Sequence, residues 1–485
     1  MFSCASEPPE TPSARCLCGC GEIGYLTRRM NAQLSRRGFM AGMATSVASF
    51  GVQAGAAAQS QPAPLEGPRS ILFTNVRLFD GISPTLRDSA QVLIEGNTIK
   101  SVRQGHDAAQ AAETIDCGGR VLMPGLIDAH THLTFATVPL QVALSADPNY
   151  LMLRAGKAAS AFLMQGFTSA RDVGGPVFGL KRAIDEGAIV GPRIWPAGAM
   201  ISQTSGHGDF RTRHDVPRAG DDLHYTERIG AAAIADGVNE VLRRTREQLM
   251  LGASQIKLMA GGGVTSEHDP LDSSQFTEAE IHAAVDAAEA WNTYVAVHAY
   301  TPKAIQIALR AGVKCIDHGH LADETSARLI AEKGAWWSLQ PFLDDEDATL
   351  FPEGSAQRAQ QRQVIQGTDT AYRLARQYQI KTAFGTDTLF SAKIAARQGA
   401  QLAKLVRWHS PAEVLKMATA DNGELLALSG PRNPYPGKLG VIASDALADL
   451  LLVDGDPLAD IALIANPEKN FRVIMKDGRI YKNTL

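Results

Sequence analysis

Eight short apolar segments alternate with helical patterns between residues 124 and 435, and this alternation constrains the fold more than any other feature. The segments are GLIDAHTH, GFTSARDV, RIWPAGAMI, SQIKLMAG, YVAVHAY, CIDHG, AWWSLQP and KTAFGTDT. Patterns such as DPNYLMLRAGKAASAFLMQ and TEAEIHAAVDAAEAWN separate them, and the second opens with Thr277 and Glu280 at the spacing of a capping box. Alternating strands and helices predict an α/β fold with a parallel sheet, and eight strands over about 250 to 300 residues favour a TIM (β/α)8 barrel.

Both flanks of this region are rich in strand patterns. ILFTNVRLFDG and AQVLIEGNTIKSVRQG precede it, the second with a hairpin turn predicted around Gly96 and Asn97. GVIASDALADLLLVDGDPL and FRVIMKDGRIYKN follow it, and KDG between apolar runs is a hairpin signal. We therefore expect β-rich regions at residues 69–123 and 436–485, on either side of a barrel at 124–435.

Residues 1–58 are typical of an export leader. The pair Arg36 and Arg37 precedes an uncharged, mildly apolar run that ends in small residues at 56–58, which resembles a twin-arginine signal cleaved near 58/59. The alternative is a membrane anchor, but the run is too weakly apolar to favour one. We expect a periplasmic or secreted protein without a stable membrane anchor. Met30 is an alternative start of translation.

The net charge and the cysteine content bear on possible nucleic-acid partners, metal binding and disulfide pairing. The net charge of -4 over 485 residues gives no reason to expect a nucleic-acid partner. Four of the six cysteines lie in the leader region, in a tract without a second ligand cluster, and are interpreted as incidental. Cys117 and Cys315 remain, and whether they pair stays open.

Metal-capable side chains stand at the carboxyl ends of five of the eight segments. In a TIM barrel these ends face the active site. His130 and His132 flank Thr131, and side chains two apart on a strand point the same way, so the two imidazoles converge while Thr131 faces away. A lone HxH pair is more often a surface feature, but matching residues at the other ends argue against that here. The six candidate ligands are His130, His132, Lys257, His298, His318 and Asp387.

Lys257 needs a separate explanation, because an ammonium beside divalent cations would be repelled. A neutral amine can take up CO2 and become an anionic carbamate, which has two oxygens and can bridge two metals. The alternative is an ordinary lysine whose ammonium reaches water or a carboxylate such as Glu267 or Asp269.

Other residues near the strand ends are candidate contacts to a bound molecule. His207, in a Gly-rich loop, could hydrogen-bond a developing oxyanion, or it could be a solvent-exposed histidine. Tyr300 could hold a carboxylate, or it could pack at the rim. His268 is a similar rim candidate, and His320 is expected to support a ligand rather than bind metal. Arg171 and Asp172 are interpreted as an internal ion pair, with the alternative that Asp172 orients a ligand.

The segment WWSLQPFLDDEDATLFPEG, at residues 336–354, mixes aromatic and acidic residues beyond the seventh strand. Trp336 and Trp337 alternate in direction, so only one can face the barrel interior. We expect the segment to form a wall or lid of the pocket and to favour aromatic or apolar groups.

Taken together, PGLIDAHTH, GFTSARDVG, QIKLMAGGG, VAVHAY, DHGH and FGTDT resemble the amidohydrolase superfamily, and most closely its imidazolonepropionase-like and Xaa-Pro dipeptidase-like branch, which includes ochratoxin-hydrolysing amidases. The resemblance implies a binuclear site, usually of zinc. It places His130, His132 and Asp387 on the more buried metal, His298 and His318 on the other, and carboxylated Lys257 between them. It also implies that both β-rich ends form one small β-sandwich, and that the chain is a homo-oligomer.

The chemistry expected of such a site is hydrolysis. Hydroxide shared by two metals would attack a carbonyl, and Asp387 would take the proton and pass it to the leaving amine. The expected substrate is a dipeptide or N-acyl amino acid with a free carboxylate, including an ochratoxin-type amide. Alternatives are a cyclic amide, lactone or phosphoester hydrolase on the same site, or an inactive barrel that serves as a binding scaffold. Lys257 favours the two-metal branch over one-metal imidazolone chemistry.

Overall fold

The computed structural model describes residues 70–105, 111–217, 222–266, 268–349 and 351–485. The predicted leader with its four cysteines and Glu267 lie outside these described residues. Within the described ranges, no helix is both long enough and apolar enough to span a membrane.

Strands dominate both flanks and alternate with helices in the middle, as predicted. In the described part of the chain they are β1 (Ser70–Leu78), β2 (Arg87–Glu95), β3 (Thr98–Gln104), β4 (Glu113–Asp116), β5 (Val121–Pro124), β6 (Leu126–Thr131), β7 (Phe167–Asp172), β8 (Arg193–Pro196), β9 (Met200–Ser202), β10 (Ala232–Ile234), β11 (Ile256–Met259), β12 (Val295–Ala299), β13 (Cys315–His318), β14 (Trp336–Leu339), β15 (Thr382–Phe384), β16 (Leu450–Val453), β17 (Phe471–Lys476) and β18 (Arg479–Asn483).

Both helices quoted from the sequence are present. Asp147 caps the first through the backbone N–H groups of residues 149 and 150, and Thr277 with Glu280 forms the predicted capping box of the second. The described α-helices are α1 (Leu140–Ala143), α2 (Pro148–Met164), α3 (Phe178–Asp185), α4 (Tyr225–Arg228), α5 (Val238–Leu251), α6 (Glu278–Ala290), α7 (Pro302–Arg310), α8 (Glu324–Lys333), α9 (Ala356–Gln377), α10 (Ala392–Ala395), α11 (Gln398–Ala403), α12 (Pro411–Lys416), α13 (Asn422–Ala427) and α14 (Pro467–Asn470).

The middle strands pair in parallel and form a TIM-barrel-like arrangement. One sheet has the order β6-β7-β8 and the other the order β10-β9-β11-β12-β13-β14-β15. All eight predicted segments form strands, but RIWPAGAMI forms two, β8 and β9, on either side of Gly198, whose φ is 79°. The short strand β10 was not predicted, because its sequence AAI has little β-preference. The backbone N–H of Asp387 donates to the carbonyl of His130 at 2.8 Å, which links the segment after β15 to β6.

The main core lies between these strands and the surrounding helices, while a smaller cluster fills the interior. Trp336 belongs to the interior cluster with Ala129, Tyr294 and Cys315. Trp337 packs in the main core and donates its indole N–H to the carbonyl of His318 at 2.8 Å. The predicted alternation of the two tryptophans is therefore confirmed.

Both chain ends contribute to one eight-stranded sheet with the order β18-β17-β16-β5-β1-β2-β3, in which β4 pairs with β1. The junction is antiparallel, with Leu451 opposite Met123. The predicted hairpin turns are present, and Asp477 and Gly478 have φ of 55° and 69°. The sheet has its own apolar core. The sandwich and its boundaries at 69–123 and 436–485 stay predictions.

The two cysteines of the described chain are both buried free thiols. Cys117 belongs to the core of the chain-end sheet, and Cys315 belongs to the barrel interior. They do not pair, which settles the question that the sequence left open.

Candidate active site

The six residues predicted as metal ligands line one cavity. Its volume is about 1510 Å³, counted to the open mouth. Five of the six residues are at most 4% exposed, and the side chain of Asp387 is 16% exposed. The structure thus brings together residues from five separate strands and their following loops, namely His130, His132, Lys257, His298, His318 and Asp387.

Asp387 faces the paired histidines of the first barrel strand. Its Oδ1 lies 3.2 Å from His130 Nε2 and 3.4 Å from His132 Nε2. The three ligand atoms lie within 4.8 Å of one another, so this group could hold a metal ion. Thr131 lines a different cavity, in agreement with the expected alternation. Gly385 permits the close approach, since a Cβ there would lie 2.4 Å from the Cβ of His130.

Three of the four histidines have one ring nitrogen hydrogen-bonded to a fixed acceptor. The pairs are His132 Nδ1 with the carbonyl of Gly174 (2.9 Å), His298 Nε2 with the carbonyl of Gly262 (3.1 Å) and His318 Nδ1 with Gln340 Oε1 (2.7 Å). His130 Nδ1 lies 3.4 Å from Asp317 Oδ1 without a hydrogen bond. An acceptor fixes the proton on the nitrogen that faces it and leaves the lone pair on the other nitrogen. This donor set fits a divalent cation that takes nitrogen and oxygen ligands.

The electrostatics of the cluster favour neutral rings of His298 and His318 beside an ionised carboxylate, whereas for His132 the lowering effect of burial is outweighed by Asp387, which raises the pKa of that ring. Burial lowers the pKa of His298 and of His318 well below the usual value. Burial opposes ionisation of Asp387, but the facing rings of His130 and His132 hold the pKa of this carboxyl well below its ordinary value. Neutral imidazoles and an ionised carboxylate are the forms that bind metal.

The ammonium of Lys257 contacts the buried carboxylate of Asp317. The alternative considered from the sequence, an ordinary ion pair, thus has Asp317 as partner rather than Asp269, and Glu267 lies outside the described residues. Asp317 also binds Arg171 at 2.6 Å, so Arg171 can balance its charge without Lys257. Burial lowers the pKa of Lys257, which increases the fraction of neutral amine. Carboxylation of Lys257 stays a prediction.

The predicted ion pair between Arg171 and Asp172 is wrong. Adjacent residues on a strand point to opposite faces, so Arg171 reaches Asp317 while Asp172 accepts hydrogen bonds from the backbone N–H groups of Leu133 (2.8 Å) and Gly174 (3.2 Å). Burial raises the pKa of Asp172 to about 6.

Asp317 was missed in the sequence although it lies inside the motif DHGH. Strand alternation places Asp317 and His318 on opposite faces. His318, however, has a φ of 72°, a left-handed conformation that turns its ring back toward the centre. Both side chains therefore reach the cluster, where the rings of His298 and His318 lie 4.6 Å apart.

Two other supporting residues were also missed. The side chain of Gln340 hydrogen-bonds His318, and the backbone carbonyl of Gln340 accepts a hydrogen bond from His320 Nε2 at 2.9 Å. His320 therefore supports a candidate ligand through Gln340, as expected. Asp128 accepts from the backbone N–H groups of His130 (3.0 Å) and Thr386 (3.1 Å), which ties β6 to the loop that carries Asp387. Asp128 could have been noticed in the sequence, because it is a charged residue within an apolar strand segment.

Two of the three predicted substrate contacts line the cavity. The ring of His207 stacks on that of His298 at 4.2 Å, and Tyr300 lies 5.0 Å from the same ring. The cavity lining does not include His268, whose carbonyl accepts a hydrogen bond from Ser205. The roles of all three in substrate binding stay predictions.

The segment after β14 forms a wall of the cavity, as expected. Its acidic residues 344–347 are bound by Arg358, Arg397 and Lys404, and among them the side chain of Asp347 is the least exposed, at 3%. The apolar lining of the cavity includes five phenylalanines from four loops, namely Phe135, Phe210, Phe342, Phe351 and Phe390.

Comparison with known proteins agrees with this site. The model of the amidohydrolase family matches residues 121–481. An ochratoxinase from Aspergillus niger is 32% identical over 375 residues, which cover 75% of this chain and 76% of that protein. The crystal structure of a prolidase complexed with N-methylphosphonate-L-proline has a TM-score of 0.77 at 34% identity, covering 86% of this chain and 100% of that one. A Xaa-Pro dipeptidase structure with bound methionine has a TM-score of 0.74 at 29% identity, covering 85% and 100%. The chain therefore belongs to the amidohydrolase family.

Proposed function

We propose that this hydrolase cleaves the amide bond of dipeptides or N-acyl amino acids that carry a free carboxylate. The observation that carries the proposal is the convergence of four histidines, a lysine and an aspartate on one cavity. Ochratoxinase, prolidase and Xaa-Pro dipeptidase relatives support amide-bond hydrolysis. Members of the family generally use divalent metals.

Two cations would be held by this chain's own side chains. His130, His132 and Asp387 would hold one, and His298 and His318 the other. Lys257, after its amine nitrogen has bonded to the carbon of CO2 and lost a proton, would bridge them as a carbamate. Nitrogen and oxygen donors without cysteine suit zinc.

Asp387 and His207 would have different roles in the hydrolysis. When bound, divalent cations lower the pKa of a water ligand to about 7 and polarise a carbonyl. Asp387 would accept the proton of the attacking water and deliver it to the leaving nitrogen. His207 would hydrogen-bond the carbonyl oxygen as it gains charge.

The phenylalanines that line the cavity and the groups that could bind a carboxylate suggest which substrates fit. Five phenylalanines suit an aromatic or apolar side chain, as in an ochratoxin-type amide. Tyr300 is one candidate for the carboxylate. Lys404 is the other, since it lines the cavity. Its ammonium lies 2.8 Å from Asp345 and 2.6 Å from Asp347.

A substrate panel tests this function. The zinc-loaded protein is assayed on Xaa-Pro and Xaa-Phe dipeptides, N-acyl amino acids and ochratoxin A, each beside the analogue whose carboxylate is an amide. We expect turnover of free acids, at least a 10-fold loss for the blocked analogues, and a loss of about 10²-fold or more with Asp387→Asn. Equal rates on acids and blocked analogues would refute the carboxylate requirement, and turnover of lactones or phosphoesters alone would refute the amide assignment.

The remaining proposals concern the whole chain. The paired arginines Arg36 and Arg37 support export by the twin-arginine route to the periplasm or medium. We also propose a homo-oligomer, a barrel closed between β15 and β6, and a sandwich formed by the chain-end sheet. Fractionation of cells that express Arg36→Lys and Arg37→Lys checks export, and light scattering checks the oligomer.

A further inference from the structure

A buried carboxylate lies directly behind His207. Asp269 Oδ2 is 3.0 Å from His207 Nδ1, and the Asp269 side chain has no exposed surface. The same carboxylate accepts the backbone N–H of Gly263 at 2.9 Å and contacts the hydroxyl of Ser266, whose Oγ also lies 2.7 Å from His207 Nδ1. Asp269 belongs to the loop after β11, the strand of Lys257, so a segment remote in sequence holds His207.

This pairing fixes which nitrogen of His207 can meet a substrate. Burial opposes ionisation of Asp269, but the hydrogen bond and charge of His207, followed by Ser266, keep the pKa of Asp269 below its usual value. An ionised carboxylate only accepts hydrogen bonds, so the proton of the pair lies on Nδ1. Among the described residues Nε2 has no hydrogen-bond partner, and His207 lines the cavity.

The ring is also confined on two sides. The His298 ring stacks against it at 4.2 Å with an interplanar angle of 16°. Gly263 lies on another side, where a Cβ would come within 1.8 Å of a His207 ring carbon. The backbone of His207 is held separately, since its N–H donates to Gln275 Oε1 at 2.8 Å. A ring with this much support is a positioned group rather than a solvent-exposed histidine.

We infer that Asp269 is a positioning residue that presents His207 Nε2 to the substrate beside His298. This inference rests on the proposed function, in which His207 contacts the reacting carbonyl. Asp269 itself touches neither the substrate nor the candidate metal ligands, so its effect passes through His207.

A double-mutant cycle tests the inference. Asp269→Ala, His207→Ala and the double variant are compared on the best substrate of the panel, with Asp272→Ala as an exposed control on the same loop. We expect Asp269→Ala to lower kcat/KM by about 10 to 100-fold in the native background and less than 2-fold beside His207→Ala. Equal factors in both backgrounds would overturn the inference, and so would metal loss that accounts for the effect of Asp269→Ala.

A structural readout separates this inference from the function itself. In a crystal structure of Asp269→Ala, we expect the His207 ring to leave its stacked position on His298. If the ring stays at 4.2 Å, Asp269 does not position it, whatever the activity. If the native protein cleaves no amide of the panel, the proposed function fails while the ring position still decides this inference. Asp269→Asn, which keeps the shape of the side chain, replaces Asp269→Ala should the latter not fold.

Discussion

The centre of the cavity and its wall are built in different ways. At the centre the candidate ligands stand at strand ends, are almost fully buried, and three of the four histidine rings have a second partner. The wall at 340–349 has no helix or strand, and its acids are bound by Arg358, Arg397 and Lys404, whose side chains are 14%, 37% and 15% exposed. Changes at the centre should therefore abolish chemistry, whereas changes at the wall should alter substrate preference.

The largest effect is expected for Asp387→Asn. The amide cannot accept the proton of the attacking water, so kcat should fall by about 10² to 10⁴-fold or more. Kinetics on the best substrate, with metal content measured in parallel, checks this. A loss below 10-fold with full metal content would remove Asp387 from the mechanism.

A smaller loss is expected when a supporting residue of the centre is removed. Gln340→Ala frees His318 Nδ1 from its 2.7 Å partner, and such changes typically cost about 10 to 100-fold in metal affinity or activity. Competition with a zinc chelator measures the affinity. Gln361→Ala is the matched control, since Gln361 lines the cavity but binds only wall and helix groups. Similar losses of zinc affinity in both variants would contradict the proposed difference between the centre and the wall.

At the wall, Lys404→Met should change KM and leave kcat nearly constant. The variant removes the cation that binds Asp345 and Asp347, so we expect a several-fold rise in KM for substrates with a free carboxylate. The blocked analogues serve as the control, because they lack the charge. An equal rise for acids and blocked analogues would mean that Lys404 only supports the wall.

The smallest expected effect is the pH dependence of the stability of the wall at 340–349. Burial disfavours the charged form of Asp347, but hydrogen bonds from Arg397 and Lys404 keep its pKa below the usual value. Because the folded pKa is depressed, the stabilisation is fully present above the unfolded value of about 4 and is lost as the pH falls through the folded value. Hydrogen exchange of peptides from 340–349 should thus be constant from pH 8 to 5 in native protein, after correction for intrinsic rates. Loosening of the wall already at pH 6 would assign its stability to other groups.

The sequence predicted the strands and the residues at their ends because both follow from local periodicity. His130 and His132 converge since a strand alternates, and the eight segments are recognisable from apolar runs. Thr277 and Glu280 likewise revealed their helix start through local spacing.

What the sequence did not predict depends on distances between remote segments. The contact of Lys257 with Asp317 and the hold of Gln340 on His318 join residues of different strands. The left-handed φ of His318 overrides the alternation that would have separated it from Asp317. Ion pairs of the wall depend on where a loop without regular structure lies, which no periodicity encodes.

The most direct test of the central claim is the metal content of the native protein and of Lys257→Ala, measured by mass spectrometry after growth with zinc. We expect about two equivalents of zinc per native chain, and at most one in the variant together with loss of turnover. One equivalent in the native chain, with Lys257→Ala still fully active, would contradict the two-cation centre.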